Sequence, residues 1–114
     1  MGITSDVELG IGQKSSTVLL IADNTAVATA NVSLILLGSD NTTAANRTFT
    51  LTASAVVGQR LTIVFNTAAA STAQLAISAT QLISATWEPV QYDTIELVSD
   101  GTGWIEVSRS DNSP

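Results

Sequence analysis

Tyr92-Asp93-Thr94-Ile95-Glu96-Leu97-Val98-Ser99-Asp100-Gly101-Thr102-Gly103-Trp104-Ile105-Glu106-Val107 reads as strand, turn, strand. Ile95 and Leu97 alternate with Glu96, and Ile105 and Val107 alternate with Trp104 and Glu106, the period-two signature of strands with one buried face. Ser99-Asp100-Gly101-Thr102-Gly103 lies between them, and Asp-Gly accepts the positive φ angles of a tight hairpin. A β-hairpin is expected here, with Ile105 and Val107 on its apolar side and Glu96 and Glu106 directed to solvent.

Working outward, the same alternation recurs. Phe49 and Leu51 alternate with Thr48, Thr50 and Thr52; Leu61, Ile63 and Phe65 with Thr62 and Val64; Leu75 and Ile77 with Ala76 and Ser78. Nearer the start, Ser16 to Ala22 and Asn31 to Leu37 are continuous aliphatic runs bounded by Asp23-Asn24 and by Gly38-Ser39-Asp40-Asn41, both good turn sequences. Such runs suit strands buried on both faces or buried between subunits. Val7-Glu8-Leu9-Gly10-Ile11 alternates again, so residues 1–14 read as an arm or edge strand loosened by Gly10 and Gly12. Ala68-Ala69-Ala70-Ser71-Thr72-Ala73-Gln74 is rich in the best helix former and fits one helical turn as well as a strand. About eight short strands with regular turn signals imply an all-β, antiparallel β-sandwich of jelly-roll-like form, a single domain over residues 15–114.

Composition narrows the chemistry. The 114 residues suffice for one core, since two would each fall below the size at which burial offsets chain entropy. There is no His and no Cys, so a Cys/His zinc site, a Ser-His-Asp triad, a thiolate nucleophile and a disulfide are all excluded. Four basic residues against ten acidic ones, a net charge of −6, cannot form the basic groove that neutralises phosphates, so nucleic acid is not an expected partner. An anionic membrane surface is disfavoured for the same reason, and no apolar run approaches the ~20 residues that span a bilayer. Met1-Gly2-Ile3-Thr4-Ser5-Asp6 lacks the features of a signal peptide or a myristoylation motif.

Carboxylates are the remaining acid/base groups. Glu88, Asp93, Glu96, Asp100 and Glu106 gather in the C-terminal third, where a pair could in principle cleave a glycosidic bond. Strand-outward and turn positions make them solvated instead, with no burial or charge partner to tune a pKa. The expectation is that the chain is not an enzyme and takes no cofactor. Asp23-Asn24, Asp40-Asn41 and Asp111-Asn112 offer oxygen ligands for calcium, but these are ordinary turn residues and no D-x-D-x-D-G spacing appears. The sequons at Asn31, Asn41 and Asn46 are what chance gives in so Thr-rich a chain. Trp87, Tyr92 and Trp104 could form a sugar-binding platform, or could close one end of an otherwise aliphatic core.

The 92–107 stretch resembles the "LVSDGTxW" ending of β-rich modules in phage tail fibres, tailspikes and capsid-decorating proteins. Ala55-Val56-Val57-Gly58-Gln59-Arg60-Leu61-Thr62-Ile63-Val64-Phe65-Asn66 is similar to the partner element of those modules, a loop ending in Gly and then a strand ending in Asn. The likeness runs over about residues 46 to 108. It implies a non-enzymatic homotrimer. The chain begins with Met1, ends soon after the motif, and carries no repeat array or heptads, features that favour a free-standing cement protein over a fibre fragment. The resemblance, to the cement (decoration) proteins of tailed phages and in particular the cyanophage kind, implies a virion protein on the outer capsid surface, bound to major capsid protein. The trimer interface is expected at Val18, Leu20, Leu34 and Leu36, and the capsid contact at Val7, Glu8 and Leu9. The alternative is a tail-fibre or tailspike module that binds a host surface glycan through Trp87, Tyr92 and Trp104.

Overall fold

Val, Ile, Thr and Leu dominate the periodic segments, and each becomes a strand because these side chains pack well on a pleated, half-buried surface. The structure, a computed structural model, describes residues 14–22, 24–39, 46–53, 56–66, 72–75 and 80–112. Among these are nine strands and no helix: β1 (Ser15–Leu20), β2 (Thr25–Val27), β3 (Leu34–Ser39), β4 (Asn46–Leu51), β5 (Arg60–Phe65), β6 (Thr72–Leu75), β7 (Gln81–Leu82), β8 (Thr94–Ser99) and β9 (Trp104–Ser110). The protein is all-β. Of the segment weighed between helix and strand, Thr72 to Gln74 lie in β6, and Ala68 to Ser71 fall outside the described residues.

The strands form a six-stranded sheet in the order β1-β3-β5-β8-β9-β7 and a three-stranded sheet in the order β2-β4-β6. Through β6, odd strands enter the larger sheet and even strands the smaller. The chain therefore crosses between sheets at each step and returns in its original direction, laying coil upon coil. Ser15 sits beside Leu34 and Leu34 beside Thr62 in one stack, while Thr25 sits beside Phe49 and Phe49 beside Leu75 in the other.

Five of the seven ladders are parallel, and only β5–β8 and β8–β9 are antiparallel. This corrects the antiparallel expectation. Period-two alternation reports which face of a strand is buried and says nothing about neighbour direction, which the connections set. The expected hairpin is the antiparallel part: β8 turns back along β5, and β9 pairs with β8.

One core serves both sheets. Leu20, Ile35, Leu37, Leu61, Ile63, Phe65, Ile95, Leu97 and Trp104 enter it from the larger sheet, and Val27, Phe49, Leu51, Ala73 and Leu75 from the smaller. The alternation at Leu61, Ile63, Phe65, Ile95 and Leu97 points inward as read from the sequence. In β9 the parity is reversed. Trp104 is fully buried opposite Ser99, whereas Ile105 and Val107 are exposed. The hairpin register admits one parity only, and the larger indole removes more apolar surface from water than either aliphatic side chain.

Candidate functional site

The hairpin is built from its own side chains. Asp100 Oδ1 accepts the N–H groups of Thr102 at 2.9 Å and Gly103 at 2.8 Å, and Ser99 Oγ accepts that of Gly101 at 3.0 Å. Gly101 has φ +95°, a conformation L side chains resist. Those hydrogen bonds to the Gly103 and Thr102 backbone hold the Asp100 carboxyl below its ordinary range. Asp100 is thus a turn residue, as its Asp-Gly context implied.

Glu106 departs from expectation. Glu106 lies opposite Leu97 in the same register as Trp104, and a bulge that shifts the β8–β9 register between Glu96 and Leu97 then sets Arg109 opposite Ile95. Leu97 and Ile95 both face inward, which brings Glu106 and Arg109 to one face although residues three apart on a regular strand point oppositely. Arg109 Nε donates to Glu106 Oε2 at 2.7 Å, and Ser84 donates to Oε1 through its backbone N–H at 2.7 Å and its hydroxyl at 2.9 Å. The Arg109 hydrogen bond, then those from Ser84, lower the Glu106 pKa to about 2 against the opposing effect of burial. Glu106 was expected on the solvent side. Its inward position follows from the reversed parity of β9, which it shares with Trp104, and the bulge, which has no signature in the alternation, brings Arg109 to the same face.

Glu106 also borders an open cleft lined by Leu82, Ile83, Ser84 and Val107. Its carboxylate oxygens are committed to Ser84 and Arg109. The other carboxylates are likewise tied to local structure: Asp93 accepts the N–H groups of Val90 at 3.0 Å and Asn112 at 3.2 Å, Glu88 accepts from Gln74 Nε2 at 3.2 Å, and Glu96 pairs with Arg60 at 3.5 Å. Among the described residues no three acidic side chains converge on a point. Asp23, Asp40 and Asn41 lie outside the described residues.

The three rings do not assemble into a platform. Trp104 is fully buried and Trp87 nearly so, Trp87 being held by paired backbone hydrogen bonds to Leu75. Tyr92 alone is open, 48% exposed, with φ +77° in the turn from Val90 to Asp93. A side chain of this bulk seldom adopts such a backbone.

The four residues expected at a trimer interface divide between two faces. Leu20 is in the core and Val18 packs against it. Leu34 and Leu36 occupy the outward face, where Leu36 stands between Thr17 and Val64, and Leu34 between Ser15 and Thr62. Leu19 and Ile21, 57% and 66% exposed, lie at the β1 end of this area, with Leu19 on the same outward parity. Val64 and Thr17 were not singled out from sequence, because their adjacency to Leu36 depends on a register that connects distant segments. Val7, Glu8 and Leu9 lie outside the described residues.

Neither a protein-family model nor a curated protein matches this chain.

Proposed function

We propose that the chain is a non-enzymatic structural virion protein, a cement protein of a tailed-phage capsid that sits on the outer shell as a homotrimer and bridges major capsid protein subunits. In this reading the two facing sheets are a sandwich-type trimer subunit. One observation carries it: within the Tyr92–Val107 element, where the resemblance to capsid-decorating modules lies, Asp100 and Gly101 form the turn, Trp104 fills the core and Glu106 is locked to Arg109. The element's chemistry is spent on rigidity, which suits a brace and not a catalyst. Three legs seated where capsomers meet bind at high effective concentration, so modest contacts per subunit add to firm attachment.

The test is to mix the purified chain with undecorated tailed-phage capsids and weigh both free and bound protein. Saturable binding of a trimer is the expected outcome; failure to bind any such shell would reject the reading. The capsid contact is assigned to Val7, Glu8 and Leu9, and deleting residues 2–12 is expected to abolish attachment while leaving the trimer intact.

Tyr92 favours a second reading, the receptor-binding module of a fibre or tailspike, because an exposed ring on an unfavourable backbone is a familiar mark of a contact site. Glycan binding lost on Tyr92→Ala would support it.

A further inference from the structure

We infer that copies of this chain meet through the outward face of the six-stranded sheet, centred on Leu34, Leu36 and Val64. The inference rests on the reading of the chain as an assembling virion protein, and it names the surface that assembly would use.

The face is apolar where β3 lies beside β5. Leu36 and Val64 are register partners on β3 and β5, Leu34 lies two residues before Leu36 on the same face, and Leu19 continues the area on β1. Thr17 on the edge strand β1 and Thr62 on β5 flank these residues with uncharged side chains. A sheet face that served only as a solvent boundary would carry polar or charged residues at these positions, as antiparallel and mixed sheets with one wet face do.

Charge identifies the occupant as a second copy. The chain bears a net charge of −6, yet among the described outward strand positions the charged residues are Arg60 and Glu96, which face each other at 3.5 Å toward the β8 side. Residues near a rotation axis meet their own symmetry mates, so a charged centre would repel itself and an aliphatic one would not. Both members of the pair are partly exposed, so at the rim Arg60 of one copy can face Glu96 of the next. That arrangement complements a like-charged copy and gives nothing to a strongly basic or acidic partner. A sugar would need rings and hydrogen-bonding side chains, and the two tryptophans are inside.

The experiment is sedimentation of the full chain across micromolar concentrations, with capsid binding measured on the same samples. The variants are Leu36→Lys and Thr17→Lys; Thr17 is already exposed and polar, so its substitution tests the face without removing core contacts. The wild-type chain is expected to be oligomeric, with each Lys variant folded by circular dichroism and its dissociation constant raised roughly tenfold or more by like charges at the axis. Mixing Thr17→Lys with Thr17→Glu is expected to restore association. A wild-type monomer at these concentrations, or Thr17→Lys and Leu36→Lys associating as tightly as wild type, would overturn the inference. If Leu36→Lys does not fold, Thr17→Lys decides. An oligomer that responds as expected but leaves capsids unbound would reject the cement reading and keep this interface.

Discussion

The indole Nε1 of Trp104 donates to the backbone carbonyl of Thr52 at 2.9 Å. Trp104 opens β9 in the larger sheet and Thr52 follows β4 in the smaller, so this hydrogen bond ties the hairpin across the core. Gln81 reinforces it from the next strand, its Nε2 donating to the Leu51 carbonyl at 3.2 Å.

Trp104→Phe keeps an aromatic ring in the core and removes the donor. The Thr52 carbonyl still accepts from Thr29 Oγ1 at 2.9 Å, so it is not left bare. A loss of about 1–2 kcal/mol is expected, read from urea unfolding. Trp104→Ala, which opens a cavity as well, is expected to cost about 3–5 kcal/mol.

Glu106 makes stability depend on acid. Its pKa is lowered from 4.5 to about 2 in the folded chain, so its contribution is fully present above pH 4.5 and is lost as pH falls from there through 2. Glu106→Gln is expected to be less stable than wild type by about 1 kcal/mol at pH 7, allowing for the partial exposure of Arg109. The gap should close as both proteins are melted at progressively lower pH. A constant gap would show that the carboxylate charge contributes nothing.

Gly103 is there for want of space. A Cβ at this position would stand 2.9 Å from the Thr80 carbonyl oxygen and 3.0 Å from its Cα, both backbone atoms that cannot swing aside. Gly103→Ala is expected to cost about 2 kcal/mol, since the Thr80 backbone must shift while Trp104 N–H remains bonded to that same carbonyl at 2.9 Å. Thr102→Ala, one residue away and exposed, should stay within about 0.5 kcal/mol of wild type in the same denaturation series.

Tyr92 at φ +77° can be relieved. Removing the Cβ recovers roughly 1–2 kcal/mol of left-handed strain, and the freer unfolded chain takes back about 0.5–1 kcal/mol. Tyr92→Gly is thus expected to be more stable by about 0.5 kcal/mol. Tyr92→Ala keeps the strain and should show no gain in a thermal melt, which separates backbone relief from loss of the ring.

Much of this was legible in the sequence, and the limits are physical. Leu61, Ile63, Phe65, Ile95 and Leu97 announced their strands and their inward faces, because one clean alternation has one buried parity. The hairpin at Asp100-Gly101 followed from turn chemistry. Continuous runs such as Val18 to Ile21 and Leu34 to Leu37 have no parity to read, so Val18 and Leu20 could not be told from Leu34 and Leu36 until Ser15 was found beside Leu34. Trp104 and Ile105 competed for the same face, and alternation alone ranks neither. The Glu106–Arg109 pair was hidden because a single bulged residue in β9 reverses what a count of three implies.

The winding of the chain has a consequence in time. Apart from β8–β9, each ladder of the two sheets joins strands that have at least one other strand between them in sequence. Loop closure must therefore precede nearly every favourable contact, which places this chain among slow folders of high contact order. The β8–β9 hairpin can close without waiting for anything else, and it is synthesised after the seven described strands that precede it. Rapid acquisition of structure then waits for the hairpin to be made, and a truncation ending before Asp100 should be born without its seed.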